Sequence, residues 1–296
     1  MHIPENLQQK PRHYALGKYI IHPDYKNNKG LEDWLNNLTF EQTETDYNRM
    51  QRHSRKRNNL YSFTLPEIDK EVILKVSRVS ENYKWYRRLN LYLVSLFKDY
   101  SLNAYYGGMA LENIGTKSPK VIAHWDCNRQ GKSKKSYLLY EKVDATMTAF
   151  TLCQEVLKVN PNATDIIHVI AQQLASTVRH IHSNNLRHGD PHSGNFLLAS
   201  KINNLHRLTP EDCKYLNFYL IDLDKACFSG HEKPWKKKLL DIRCMRRFRV
   251  PGVNSITCLK LYFKRAPTLG ERLILKFWMK GGFNIYKWFK RTGKRV

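Results

Sequence analysis

No two cysteines in this 296-residue sequence are spaced as Cys-x-x-Cys, and none of the six (Cys127, Cys153, Cys213, Cys227, Cys244, Cys258) has zinc-like spacing with a histidine. That excludes a disulfide framework and a zinc module as the source of stability, and a reducing, intracellular compartment is expected. No stretch approaches the run of about 18 apolar residues that spans a bilayer. The segment from Met1-His2-Ile3-Pro4-Glu5 onward has no basic stretch followed by an apolar core, so neither export nor membrane spanning is expected. Internal repeats and low-complexity linkers are missing as well, which leaves nothing to cut the chain into independent domains. Acidic residues are scarce: 26 Asp and Glu stand against 50 Lys and Arg, for a formal net charge of +24. A charge that extreme attracts an anionic partner, which composition narrows to nucleic acid, an anionic membrane or a phosphorylated substrate.

The chain is long enough to bury a substantial core. Residues 1 to 60 read as polar and basic, with the run Arg52-His53-Ser54-Arg55-Lys56-Arg57 and little periodicity. Leu60 to Leu65 then reads as a strand, Pro66 to Lys70 as a turn, and Val72-Ile73-Leu74-Lys75-Val76 as a nearly continuous apolar strand holding one lysine, so a hairpin is expected. Helical spacing follows in Trp85, Leu89, Tyr92, Leu93 and Leu96, and again from Ala104 to Ile114. Strand character returns at Pro119 to Ala123 and at Tyr137 to Val143. From Ala163 the pattern Ile166, Ile167, Ile170, Leu174, Val178, Ile181 predicts a long amphipathic helix, and helix signals dominate thereafter. The expectation is an α+β, two-lobed chain, with a small β-rich lobe over 1–143 carrying a basic N-terminal extension. A larger α-helical lobe would occupy 144–296 and carry a basic, aromatic tail.

Two short segments carry the chemistry. The first is Leu186-Arg187-His188-Gly189-Asp190-Pro191-His192-Ser193-Gly194-Asn195-Phe196, and the second is Phe218-Tyr219-Leu220-Ile221-Asp222-Leu223-Asp224-Lys225. An aspartate and an asparagine five positions apart in a loop between apolar segments can converge on one point, as can an aspartate at the end of the next strand. Phosphoryl transfer needs such a cluster: a carboxylate to orient or deprotonate the acceptor hydroxyl, and hard oxygen ligands for Mg²⁺. Gly131-Lys132-Ser133 invites a P-loop reading, but Asp126 stands where that motif needs its first glycine.

In this wording the chain resembles the kinase superfamily in its His-Gly-Asp variant, which includes aminoglycoside and choline kinases. It looks closest to the lipopolysaccharide kinases of core heptose or Kdo sugars, and the UbiB-type atypical kinases share the Asp-Pro-His-x-Gly-Asn phrase. The resemblance covers roughly residues 60 to 245 and implies a protein-kinase-like fold using ATP and Mg²⁺. It implies Asp190 as catalytic base, Asn195 and Asp222 as metal ligands with Asp224 as a further one, and His188 as the packing histidine before the base. It also implies Lys75 as the phosphate-binding lysine, Glu141 to Val143 as the hinge that meets adenine, and Asp241 as a brace for the catalytic loop. Three family features are missing: a Gly-rich loop before Lys75, a glutamate in the helix that should pair with Lys75 (the aligned stretch holds Asn103 and Ala104), and an Ala-Pro-Glu motif after Asp222. The segment 39 to 60 is expected to cover the phosphates in place of the Gly-rich loop.

After Gly230, basic and aromatic residues interleave: Trp235 with Lys236 to Lys238, then Arg243, Arg246, Arg247 and Arg249, then Phe277, Trp278 and Tyr286 to Arg291. Such a surface suits the cytoplasmic face of an inner membrane bearing an anionic glycolipid such as lipopolysaccharide core, and fits nucleic acid less well because no nucleic-acid module is present. No obligate protein partner is implied. The competing readings are a UbiB-like or other small-molecule kinase, and a basic binding protein on a catalytically dead kinase scaffold.

Overall fold

The computed structural model describes residues 7–8, 12–14, 17–37, 58–77, 100–127, 135–202, 204–228 and 233–279. The basic run at 52–57, the helix expected over 85–96, the covering segment 39–57 and the aromatics after Met279 lie outside the described residues.

Six strands form one antiparallel sheet: β1 (Arg12–Tyr14), β2 (Gly17–Ile21), β3 (Asn58–Leu65), β4 (Lys70–Ser77), β5 (Val121–Cys127) and β6 (Lys135–Glu141), in the order β1-β2-β5-β6-β4-β3. The expected hairpin is β3–β4, closed by Pro66–Ile68 and by Asp69 in the left-handed region at φ 51°. Alternation sets what each face of the sheet carries. Val72, Leu74 and Val76 join Trp125, Tyr137 and Leu139 in a core on the outer face, closed by helix α1 (Lys29–Asn37) through Leu31 and Leu35. The period of two turns Lys75 to the opposite face with its cross-strand partner Leu138, which belongs to the second core. Elements β1, β2 and α1 lie in a stretch whose pattern gave little sign of them. The helix is short, and its apolar stripe is only Leu31, Trp34 and Leu35, too few positions to stand out against basic neighbours.

The second core is helical. Helix α2 (Tyr100–Asn113) is followed by α3 (Ala149–Val159), α4 (Thr164–Ser183), α5 (Pro210–Lys214), α6 (Pro234–Met245), α7 (Ser255–Phe263) and α8 (Leu269–Met279). All six apolar positions of the predicted 3.6-residue pattern in α4 are buried. Short strands β7 (Met147–Thr148), β9 (Phe196–Leu198) and β10 (Phe218–Leu220) form a small sheet, and β8 (Leu186–Arg187) pairs with β11 (Cys227–Phe228). These two small sheets hold the loops that carry Asp190 and Asp222. The fold is α+β and two-lobed. Among the described residues no helix is long and apolar enough to cross a membrane.

Candidate active site

The loop after β8 is held by its own polar atoms. His188 is fully buried; its Nε2 faces the Ile221 carbonyl at 2.8 Å, while its Nδ1 lies 3.3 Å from the Asp190 N–H. A carbonyl only accepts and a backbone N–H only donates, so the network selects the neutral tautomer protonated at Nε2. Burial lowers the His188 pKa in the same sense, against the opposing pull of the Ile221 carbonyl, Asp222 and Asp190. The imidazole therefore couples the two segments that the sequence singles out. A second link runs from Ile221 N–H to the Asn195 carbonyl at 2.9 Å. Gly189 has φ +78°, and a Cβ there would collide with the Lys225 backbone carbonyl, so the central glycine of His-Gly-Asp is a packing requirement.

Asn195 closes the loop by donating its side-chain N–H to the Asp190 carbonyl at 2.9 Å. With the nitrogen committed, the amide oxygen is the atom left for a cation. Asp222 follows β10 in the left-handed region at φ 62°, ψ 54°, a conformation costing an ordinary residue about 1 kcal/mol. Tight packing enforces it. The turn Leu223–Lys225 lies against α2 at Gly107, where a Cβ would come within 3.1 Å of Ala226, while Gly108 allows Val121 of the sheet to approach the other side of the helix. A large side chain at Gly107 would push α2 off this turn of the helical lobe, and one at Gly108 would push it off the sheet.

Lys75 reaches across this junction. Its ammonium lies 2.9 Å from Asp222 Oδ1 and 2.7 Å from Asp224 Oδ1, and the residue is only 6% exposed. Burial opposes the charge, but Asp224 and Asp222 outweigh it and hold the lysine pKa above its ordinary value. Among the described residues Lys75 is paired by two carboxylates of the helical lobe and by no glutamate from a helix of the small lobe. Tyr140 shares the pocket, its phenol pushed up to about 12 by burial and by Asp222 and Asp224.

Asp190 is half-buried. Lys225 forms an ion pair with its Oδ2, and Arg247 Nη1 lies 3.5 Å from the same oxygen and 2.8 Å from the Gly189 carbonyl. Burial would raise the Asp190 pKa, but Lys225, Arg247 and His192 together hold it below the ordinary carboxylate range. The group is ionised at neutral pH and able to accept a hydroxyl hydrogen bond.

Behind the loop, Arg187 donates from Nε to Asp241 Oδ1 at 3.0 Å and from Nη2 to the Lys237 carbonyl at 3.2 Å. Asp241 therefore meets the catalytic loop through Arg187. Burial raises its pKa against the pull of Arg187. Tyr262 hydrogen-bonds Asp241 and stands 2.7 Å from His182 Nδ1. If the phenol donates to the carboxylate, His182 donates from Nδ1, and its buried Nε2, which has no partner, is the unprotonated nitrogen. Protonating it would bury an unsatisfied N–H. Burial, then the charges of Arg187, His188 and Lys237, lower its pKa to about 3. Because the folded state resists a proton that the unfolded chain accepts near pH 6.5, stability is lost as pH falls from about 6.5 toward 3, by up to ~1.4 kcal/mol per pH unit. Thermal melts across that range should show the loss for the wild type and a flatter profile for His182→Gln.

At the hinge, Glu141 N–H and Lys142 N–H donate to the Lys120 and Glu71 carbonyls, 2.8 and 2.9 Å away. Among the described residues Val143 N–H makes no bond, which leaves it the donor a purine could use. The Glu141 carboxylate accepts from Lys70 at 2.6 Å and from the Tyr25 hydroxyl, so the side chain anchors the hinge rather than facing a ligand. Tyr25 comes from the turn after β2 and straps this edge of the small lobe.

The expected site residues thus fall in two groups. Lys75, Asp190, Asn195, Asp222 and Asp224 are brought together where the lobes meet, whereas Glu141 and Val143 lie at the end of β6, where the chain leaves the sheet for the helical lobe. Among the described residues no three His, Cys, Asp or Glu side chains form a protein-only metal cage. The donors here are two carboxylates and one amide oxygen, hard ligands of the kind Mg²⁺ takes when phosphates complete its shell. The two carboxylates already converge on a cation, the Lys75 ammonium, and the Asn195 amide oxygen is free of the loop bond its nitrogen makes, so the donor set fits Mg-ATP. Lys225, Arg247, Tyr140 and Tyr25 were missed as site residues. Lys225 alone carried a local signal, standing three residues after Asp222; the others approach only through tertiary packing.

A fold in which a lysine on an antiparallel sheet meets acidic residues of a helical lobe beside a His-Gly-Asp loop defines the protein-kinase-like class. Residues 109–257 match the lipopolysaccharide kinase (Kdo/WaaP) family. The chain belongs to that family. Among solved structures it is similar to "WaaP in complex with acyl carrier protein", at 15% identity and TM-score 0.53 over 94% of this chain and 98% of that one. The BubR1 kinase domain is a more distant match, at 14% identity and TM-score 0.35 over 90% of this chain and 61% of that one. No curated protein matches the chain.

Proposed function

We propose that this chain is an ATP-dependent sugar kinase that transfers the γ-phosphoryl group to a hydroxyl of a heptose or Kdo residue of lipopolysaccharide core. The observation that carries the reading is the crossing of Lys75 to Asp222 and Asp224 next to Asp190. In this reading Asp190, ionised and pinned by Lys225 and Arg247, orients the acceptor hydroxyl and draws on its proton. Lys75 binds the α/β-phosphates. Asn195, Asp222 and Asp224 hold Mg²⁺, which when bound neutralises charge on the phosphates. Val143 N–H meets the adenine edge, beside a hinge that Glu141 fixes through its side chain. The division of labour falls at 143/144, with residues 1–143 covering the nucleotide and 144–296 supplying the carboxylates and the acceptor surface.

A membrane-held, anionic acceptor suits the charge of +24, and places the enzyme peripherally at the cytoplasmic face of the inner membrane. Nucleic acid remains the lesser alternative for that charge. The solved WaaP holds acyl carrier protein, and a carrier-protein partner for this chain is a second reading, tested by co-purification.

The test is transfer of γ-³²P from Mg-ATP to purified lipopolysaccharide core. Label on the glycan supports the sugar kinase. ATP turnover without an acceptor supports a UbiB-like activity, and failure to bind Mg-ATP supports a dead scaffold.

A further inference from the structure

The last turn of α6 and the residues after it carry a row of cations, of which Arg247 stands beside Asp190. Arg247 touches the Asp190 carboxylate and the Gly189 carbonyl. Arg246 and Arg243 stack on the Trp278 indole from α8, with guanidinium carbons 5.7 and 5.1 Å from the ring centroid. Stacking on an aromatic plane orients a guanidinium fork without consuming its donors. Among the described residues neither Arg243 nor Arg246 has a carboxylate within ion-pair distance; beyond stacking, Arg246 makes one long bond, 3.5 Å, to the Trp278 carbonyl. Arg246 is half-buried and its charge is disfavoured, first by burial and then by Arg247 and Arg243, against the opposing pull of Asp190 and Cys244. The indole N–H of Trp278 is likewise buried without an acceptor. The row is stitched to the loop, since Ser193 N–H donates to the Arg249 carbonyl at 3.1 Å. Crowded like charges with unused donors, fixed to the residue that meets the acceptor, form a built anion site.

We propose that Arg246 and Arg243, oriented by Trp278, bind a second anionic group already present on the acceptor, a phosphomonoester or a sugar carboxylate close to the hydroxyl that is phosphorylated. This rests on the sugar-kinase reading above and deepens it: the preferred acceptor is one that already carries such a charge. The subsite acts on acceptor binding and leaves the nucleotide untouched, because Lys75 pairs with Asp222 and Asp224 whereas the arginine row meets Asp190.

Steady-state kinetics on lipopolysaccharide core test this. Arg246→Gln should raise the acceptor KM roughly ten- to hundredfold, the worth of a charge-assisted hydrogen bond, with kcat and the ATP KM within about threefold of wild type. Arg243→Gln should act in the same direction, and Arg246→Lys should restore part of the loss. Inorganic phosphate should compete with acceptor rather than with ATP, and enzymatically dephosphorylated core should bind wild type more weakly while losing sensitivity to Arg246→Gln. If dephosphorylation leaves that sensitivity intact, carboxyl-reduced core should abolish it, identifying the carboxylate as the anion. An unchanged acceptor KM in a folded Arg246→Gln enzyme overturns the proposal. So does a KM defect seen only on anionic vesicles and not on delipidated core, which would assign the arginines to lipid headgroups. Wild type that labels no core at all defeats the sugar-kinase reading instead, before the variants are compared.

Discussion

Asp190→Asn should lower phosphoryl transfer by about 10²- to 10⁴-fold while leaving Mg-ATP binding within a few-fold of wild type, as single-turnover assays and nucleotide titration will show. The asymmetry follows from how the residue is used. Its backbone holds the loop, through its N–H to His188 and its carbonyl to Asn195. Its side chain does neither; it faces Lys225 and Arg247. An amide of the same shape keeps the loop and loses the acceptor for the hydroxyl proton. Both cationic partners are about a third or more exposed, so stability should change by no more than ~1 kcal/mol. Full transfer by a folded Asp190→Asn enzyme would remove this residue from the chemistry and leave the cleft without a base.

The same arrangement explains why Lys225 stands where it does. It is the third residue of the turn Leu223–Lys225 that follows Asp222, and that turn is packed against α2 at Gly107. Placement of the Asp222 and Asp224 carboxylates and of the cation on Asp190 is therefore a single structural event. Packing that distorts one distorts the other, and His188, bonded to both segments, enforces the coupling.

What could be read without coordinates was whatever is encoded locally. The α4 stripe from Ile166 to Ile181, the β3–β4 hairpin and the His-Gly-Asp and Ile-Asp phrases each depend on spacing within a few residues, so pattern alone locates them. Two other features were invisible for a physical reason. Helix α1 has three apolar residues among charged ones, and its burial comes from Trp125 and Phe63 some distance along the chain. The partner of Lys75 was sought in a helix because the family pattern places a glutamate there; the carboxylates that pair with the lysine lie 147 and 149 positions away, beyond any local rule. The arginines at 243, 246 and 247 read as part of a basic tail for a bilayer. Packing of α6 against α8 brings Arg243 and Arg246 to Trp278, and the turn after α6 brings Arg247 to Asp190, contacts that no run of basic residues announces.

Lys75→Met should have the largest effect on the empty enzyme, and magnesium should repair part of it. Asp222 and Asp224 lie within 3 Å of one buried ammonium, at 2.9 and 2.7 Å, and removing it leaves two neighbouring, largely buried carboxylates without their shared cation. Breaking a buried ion pair from one side costs about 3–5 kcal/mol, enough to lower the melting temperature of a chain this size by many degrees. Methionine is only one atom shorter and keeps the apolar stem, so the loss is mainly electrostatic. A divalent cation bound by the same oxygens supplies the missing charge. Melts of Lys75→Met with and without Mg²⁺ should therefore show a larger stabilisation by the metal than wild type shows, because wild type already holds a cation there. Turnover should stay low in either condition, falling by about 10²-fold or more, since Mg²⁺ restores the charge and not the contact to the α/β-phosphates. Equal metal stabilisation of the two proteins would mean that Asp222 and Asp224 do not form the cation site, and the role assigned to both residues would have to be withdrawn.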